Sequence, residues 1–368
     1  MTSMDSFHST YSGKKVLVTG HTGFKGSWLC LWLAKLNADV LGISLETYGP
    51  ESHFSLVHPQ MISVLGDIRD KATVVDTFSS FQPEIVFHLA AQPLVRASYK
   101  DPSFTYETNV IGTLNVLEAA RACGSVKAFI NVTTDKVYKN LEREVDYTEE
   151  DRLGGYDPYS SSKACSEILT SSYRQSFCLE GEMLIASARA GNVIGGGDWS
   201  EDRLIPDLIR AALNGLKTEV RSPMATRPWQ HVLDPLSGYM LLGAKLLEGR
   251  RDFCEGWNFG PSKVSNITVQ EVLDRMQAQW DKISYRINEE EAKKYHEAKL
   301  LMLDCSKANE QLGWQPTWRI EETMKQTAKW YQAYCEEKQV ISMQQLEEYL
   351  AAARESGTIW ASPVAHVG

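Results

Sequence analysis

The stretch VLVTGHTGFKGSWL, residues 16–29, constrains the fold more than any other part of this chain. A short β-branched run stops at Gly20, glycines recur at 23 and 26, and the apolar residues that follow, in WLCLWLAKL, have helical spacing. Each glycine has a physical reason: one for a tight turn, one for close approach of backbone to a pyrophosphate, one for close packing of helix on sheet. The helix that opens there presents unpaired N–H groups and a partial positive charge, which suits phosphate. Glycine triplets alone are weak evidence, but strand–turn–helix is the context that gives them meaning. A nucleotide site is expected at Gly20, Gly23, Phe24 and Gly26.

The pattern then repeats. DVLGIS, MISVLGD, EIVFHLAA, KAFINVTT and MLIASARAG read as further strands, with helical stretches such as TLNVLEAARACG between them. Strands alternating with helices predict an α/β, doubly wound parallel sheet of the Rossmann type. The expected organisation is a loose polar leader over 1–14, a dinucleotide-binding domain over 15–190, and a smaller mixed α/β region over 191–368 that binds substrate and packs on the first. In that region DRLIPDLIRAALNG and VQEVLDRMQAQW read as helices, NEEEAKKYHEAK as a solvated face, and ISMQQLEEYLAAARESG as an exposed helix.

Net charge is −9, which argues against general nucleic-acid binding. No apolar run is long enough to span a bilayer, and the leader lacks an apolar signal core, so a cytoplasmic protein is expected. Seven cysteines without paired spacing suggest reduced thiols, with no metal site.

Two further stretches carry chemistry. DPYSSSKACSE puts Tyr159 and Lys163 four apart at a helix start, with Pro158 at the first helical position. A lysine beside a phenol is expected to lower its pKa and make it a base for a hydroxyl proton. TTDKVYKN places Thr134, Asp135 and Lys136 in succession after a strand. A capped strand-to-loop turn could use the same letters, but not the partner Tyr–Lys pair about twenty residues on. The second strand, ending in GISLE, has neither the usual ribose-binding acid nor an arginine for a 2′-phosphate, which leaves NAD favoured over NADP. Asp67, after the third strand, is a candidate to meet the adenine; a turn-forming aspartate is the plain alternative.

TGHTGFKG, FHLAAQ, TNVIGT, NVTTDKVY, YSSSK and ARAGNVIG, with RPWQHVLD and WNFGP further on, resemble the extended short-chain dehydrogenase/reductase family over nearly the whole chain. Within its nucleotide-sugar branch the sequence is similar to the 4,6-dehydratases, most closely those acting on CDP-glucose. The resemblance implies the following roles. Thr134 holds the sugar 4-hydroxyl, and Tyr159, assisted by Lys163, removes its proton while carbon 4 passes hydride to NAD. Asp135 and Lys136 share the two proton transfers of water loss, Asp135 as acid and Lys136 as base, an assignment that stays open. Lys136 departs from the Glu usual in dTDP- and GDP-linked dehydratases. Asp67, Ile68, Leu89, Ala90 and Ala91 are expected to line the cofactor cleft, and Asn109 to brace the active-site strand. Asn192, Arg203, Arg227 and Asn258 are expected on the nucleotide sugar. His21, where Ala or Gly is usual, is expected to crowd NAD, and Lys25, where Ile is usual, to assist it. A homodimer or dimer of dimers, paired through the helices after TNVIGT and at YSSSK, is implied, as is a role in bacterial deoxysugar, O-antigen and lipopolysaccharide assembly. The rival readings are another dehydratase or an epimerase of the family, and a non-catalytic NAD-binding regulator.

Overall fold

Residues 16–19 are all buried, as in a strand covered on both faces. In the computed structural model, which describes residues 6–47, 49–141, 146–178, 183–220, 222–288 and 301–361, this strand, β1 (Lys15–Thr19), sits inside a seven-stranded sheet. The others are β2 (Asp39–Ser44), β3 (Ile62–Leu65), β4 (Ile85–His88), β5 (Ala128–Val132), β6 (Leu184–Arg189) and the edge strand Gly256–Asn258. Their spatial order is edge strand, β6, β5, β4, β1, β2, β3, and every pairing is parallel.

Alternation along the strands builds two cores. Val16, Val18, Ile85, Phe87 and Ile130 face one layer, which includes helices Phe24–Lys35 and Leu233–Leu247. Leu17, Val86, Phe129 and Ile185 face the other, covered by helices Lys71–Phe81, Thr113–Cys123 and Pro158–Phe177. The expected doubly wound architecture is present. Because all strands are parallel, the loops leaving β1, β4, β5 and β6 gather along one edge of the sheet, where such folds bind ligands.

Three details differ from the sequence reading. The leader is not loose over residues 6–11: Ser6–Tyr11 is helical, and its Phe7 and Tyr11 are buried. Phe7 stacks on Trp360 with ring centroids 5.0 Å apart, and the Tyr11 hydroxyl donates to the Met240 carbonyl at 2.6 Å. The tail helix, Ser342–Glu355, is not simply exposed, since Leu346, Tyr349, Leu350 and Ala353 are buried. The edge strand beside β6 comes from beyond residue 190; three residues, Gly-Trp-Asn, carry no readable period. Of the acid- and lysine-rich stretch NEEEAKKYHEAK, everything from residue 289 on lies outside the described residues. Among the described residues no helix is long and apolar enough to cross a membrane, and no group of side chains could hold a metal ion.

Candidate functional site

The loop after β1 is built for close backbone approach. Gly20 has φ +76°, and a Cβ there would lie 2.7 Å from the Ala90 nitrogen. A Cβ on Gly26 would lie 2.1 Å from the Gly20 carbonyl oxygen. Gly23 is the N-cap of helix Phe24–Lys35 and caps it with no side chain, leaving its first N–H groups to a ligand. The loop after β4 nests against it: Thr19 Oγ1 accepts from the Ala90 N–H at 3.1 Å and pairs with His88 Nδ1 at 2.7 Å. Leu89, Ala90 and Ala91 are only half-buried beside the glycines, and Phe24 is likewise partly open. A cradle that any Cβ would fill, at an uncapped helix start, fits a dinucleotide pyrophosphate.

His21 does not crowd this cradle. Its ring turns across the sheet onto Gly42, where a Cβ would lie 2.2 Å away, and Nε2 pairs with Ser63 Oγ at 2.7 Å. Ile68 is packed into the second core, against Gly112. The Asp67 carboxylate is held by Arg69 of its own loop, through Nε at 2.9 Å, Nη2 at 2.6 Å and the backbone N–H at 2.9 Å. Both the turn role and the guanidinium explain why its pKa lies below the usual carboxylate range.

A cavity of about 720 Å³ opens between the sheet edge and the residues beyond 190. Thr134, Asp135, Lys136 and Tyr159 all line it, together with Lys25, Asn192, Arg203 and Arg227. Local structure explains the aim of the first three. Thr134 follows β5 and caps a single 3-10 turn, Asp135–Val137, accepting from the Lys136 N–H at 3.3 Å. The cap and the functional row therefore coexist. Thr134 Oγ1 donates to Asp135 Oδ1 at 2.9 Å, while Oδ2 is buried without a partner and rests on Gly191.

Tyr159 stands in the first turn of its helix, after Pro158 and the N-cap Asp157. Burial pushes its phenol up to about 12, partly offset by the Thr134 hydroxyl and the Arg203 charge. The expectation that Lys163 lowers it is corrected: the Lys163 ammonium is buried and donates to the Val132 carbonyl at 3.1 Å. Burial in turn pulls Lys163 down to about 8, against the opposing charge of Glu167. Lys25 reaches the same end of the cavity beneath the Tyr239 ring, 5.9 Å from its centroid. Burial and the charges of Arg203 and Lys163 draw it down to about 7, against the pull of Asp135.

Asn192 sits at φ +22° just past β6. Arg203 begins helix Leu204–Leu213 and bonds Asp198 at 3.3 Å, and Arg227 bonds the Thr226 carbonyl at 2.7 Å. Asn258 is a correction. It is fully buried outside the cavity, its carbonyl accepting from Tyr138 and its amide donating to Tyr147 and Asp304 carbonyls. Every polar atom is consumed, so it braces the second region and does not face a nucleotide. Asn109 lies in a π-helical turn, Glu107–Gly112, and ties Gln92 of the β4 loop to Ser162 of the tyrosine helix. Sequence reasoning set Lys25 beside NAD, and the structure has it lining the cavity; it did not single out Gln230, which pins the Gly191 and Phe259 carbonyls. Gln230 has no local signal, since its partners lie 39 and 29 residues away.

The family model described as GDP-mannose 4,6 dehydratase matches residues 17–327. CDP-glucose 4,6-dehydratase of Salmonella typhimurium is 46% identical over 352 residues, covering 93% of this chain and 98% of that protein. The chain belongs to the nucleotide-sugar 4,6-dehydratase family. Among solved structures, the family's fold is seen in an epimerase of Methanothermobacter thermautotrophicus (TM-score 0.80, 26% identity, 90% of this chain and 95% of that one). It is seen also in UDP-glucose 4-epimerase of Thermus thermophilus in complex with NAD (TM-score 0.74, 25% identity, 86% and 98%). Dehydratases and epimerases thus share this scaffold, and what separates them must lie in the side chains of the cavity.

Proposed function

We propose that this protein is a CDP-glucose 4,6-dehydratase, converting CDP-glucose to CDP-4-keto-6-deoxyglucose and water. The observation that carries the reading is one cavity wall bearing Thr134, Asp135, Lys136 and Tyr159 together, in a chain 46% identical to an enzyme of that name. An epimerase needs the hydroxyl and the phenol; only an elimination needs an additional acid and base beside them.

NAD held by the glycine cradle would supply the hydride acceptor for carbon 4 and the hydride donor for carbon 6, and the Arg203 charge favours the ionised phenol of Tyr159. Thr134 orients the sugar 4-hydroxyl, and Tyr159 takes its proton. The resulting 4-ketone acidifies the proton on carbon 5, which Lys136 removes as base. Asp135, protonated, gives its proton to the departing 6-hydroxyl, which leaves as water. Its Oδ2, buried against Gly191, has no hydrogen-bond partner to give up. Return of the proton from Lys136 to carbon 5 and of hydride to carbon 6 would leave only water lost from the sugar, the proton gained by Tyr159 balancing the one given by Asp135. Arg203 and Arg227, both on the cavity wall, are suited to the diphosphate.

The same reading extends to assembly as a homodimer. Ile111 and Ile168 are 48% and 58% exposed, in the π-helical turn Glu107–Gly112 that leads into helix Thr113–Cys123 and on helix Pro158–Phe177. Large apolar side chains on two adjacent helices support pairing of this face in a copy of the chain, and light scattering in solution tests it.

The activity test is incubation with NAD and a panel of CDP-, UDP-, dTDP- and GDP-glucose, followed by the alkali-induced absorbance of a 4-keto sugar. Turnover confined to the CDP form is expected. Glucose–galactose exchange would replace the reading with an epimerase, and NAD binding without chemistry would replace it with a regulator.

A further inference from the structure

The tyrosine helix carries a third polar residue on the same face as Tyr159 and Lys163. Glu167 lies one more turn along, 1% exposed, facing the ends of β5 and β6. Its Oε1 accepts from Thr133 Oγ1, and its Oε2 accepts from Ser187 Oγ at 2.7 Å and Arg189 Nη2 at 2.8 Å. Arg189, equally buried, donates through Nη1 to the Tyr138 hydroxyl at 2.8 Å, and that hydroxyl donates to Asn258 at 2.7 Å. Gly256 leaves room for the guanidinium: a Cβ there would lie 2.6 Å from Nη2.

The consequence is geometric. Thr134, Asp135 and Lys136 are suspended between Thr133 and Tyr138, and both anchors hang on one buried ion pair. We propose that Glu167 and Arg189 are positioning residues for the dehydration step, holding the Thr134–Lys136 turn in its aim at the cavity. This rests on the proposed dehydratase reading.

A buried ion pair is by itself poor evidence for stability, because desolvation cancels much of the attraction and apolar residues could fill the space. What apolar residues could not do is fix the two ends of the turn through directional bonds. The electrostatic part is equally specific. The charged and titratable groups around Lys163 are Glu167 on its own helix, His88 on β4, and Lys25 behind the glycine loop. Glu167 in turn faces Arg189 on β6 and Arg174 on its own helix. Glu167 is the carboxylate that supports the Lys163 cation.

The test compares wild type with Glu167→Gln and Tyr138→Phe, on whichever nucleotide-glucose the wild type turns over, so that failure of the substrate assignment does not touch the result. Glu167→Gln keeps the shape and loses the charge. Its kcat should fall at least tenfold with KM changed less than threefold, and the pH dependence assigned to Lys163 should move down by roughly one pH unit. Tyr138→Phe cuts only the second anchor. It should lower kcat severalfold with an unmoved pH profile and an accumulation of reduced cofactor, because elimination is slowed more than hydride transfer. A Glu167→Gln protein with wild-type kcat and pH profile overturns the proposal. If that variant does not fold, Tyr138→Phe decides: undiminished kcat overturns it, and the stalled reduced cofactor supports it.

Discussion

The carboxylate of Asp135 lies against the bare α-carbon of Gly191, so closely that a Cβ there would fall 2.1 Å from Oδ2. The two residues follow neighbouring strands, β5 and β6, and Gln230 holds the Gly191 carbonyl in place at 3.1 Å. Gly191 is thus the floor under the acid. Gly191→Ala should push the carboxylate from the cavity and lower dehydration by on the order of 100-fold, the worth of one misplaced acid–base group. Cofactor affinity should be unchanged, because the glycine cradle is untouched. Both are read from 4-keto sugar formation and from NAD titration of the same preparation.

Tyr159→Phe removes the proposed proton acceptor for the 4-hydroxyl and should abolish both cofactor reduction and product, by about 10³-fold or more. Near-normal turnover would remove Tyr159 from its role.

Lys136→Met separates the two halves of the reaction. Hydride transfer to the cofactor should still occur in a single turnover, seen as reduced nicotinamide absorbance, while water loss stops. A Lys136→Met protein that dehydrates normally would return the base to some other group.

Gly26→Ala should prevent cofactor binding outright. Its Cβ would meet the Gly20 carbonyl oxygen at 2.1 Å, and backbone cannot yield as a flexible side chain does. Calorimetric titration with NAD checks this, with circular dichroism to confirm an intact fold.

Stability should fall from mildly acid to neutral pH through Asp234. Its carboxyl is fully buried; one oxygen accepts from the Thr317 N–H and the Tyr349 hydroxyl, and the other has no partner. Burial raises its pKa from 3.8 to about 7. Below the ordinary value the group is protonated folded and unfolded alike, and nothing is lost. Between there and about 7 the folded state alone keeps the proton, so each unit of rising pH removes about 1.4 kcal/mol. Asp234→Asn should flatten that slope and raise the melting temperature at pH 8 relative to pH 5. An unchanged slope would show that Asp234 does not titrate in this range.

The parallel sheet and the glycine cradle were legible because their causes are local. Strands covered on both faces read as short, continuous apolar runs, and the φ of Gly20 is a demand of a single turn. Thr134, Asp135, Lys136 and Tyr159 were legible because a strand end and a helix start place them within short spans of chain. Asn258 was misread for the opposite reason. Its sequence, WNFGP, suits a ligand-facing turn equally well, and only the Tyr138 hydroxyl, 120 residues away, takes its carbonyl out of play. The leader and tail were misread likewise. Phe7 and Trp360 look like isolated aromatics near the two ends of the chain until they stack.

The chain by itself thus determined the order of elements, the phosphate cradle and the candidate side chains that line the cavity, since these follow from propensity, steric need and chemical type. Tertiary structure alone decided which charges share a space: Asp135 over Gly191, Lys163 on the Val132 carbonyl, Glu167 against Arg189. Burial and proximity set the proton affinity of each group, and both depend on chain segments that meet only when the sheet closes.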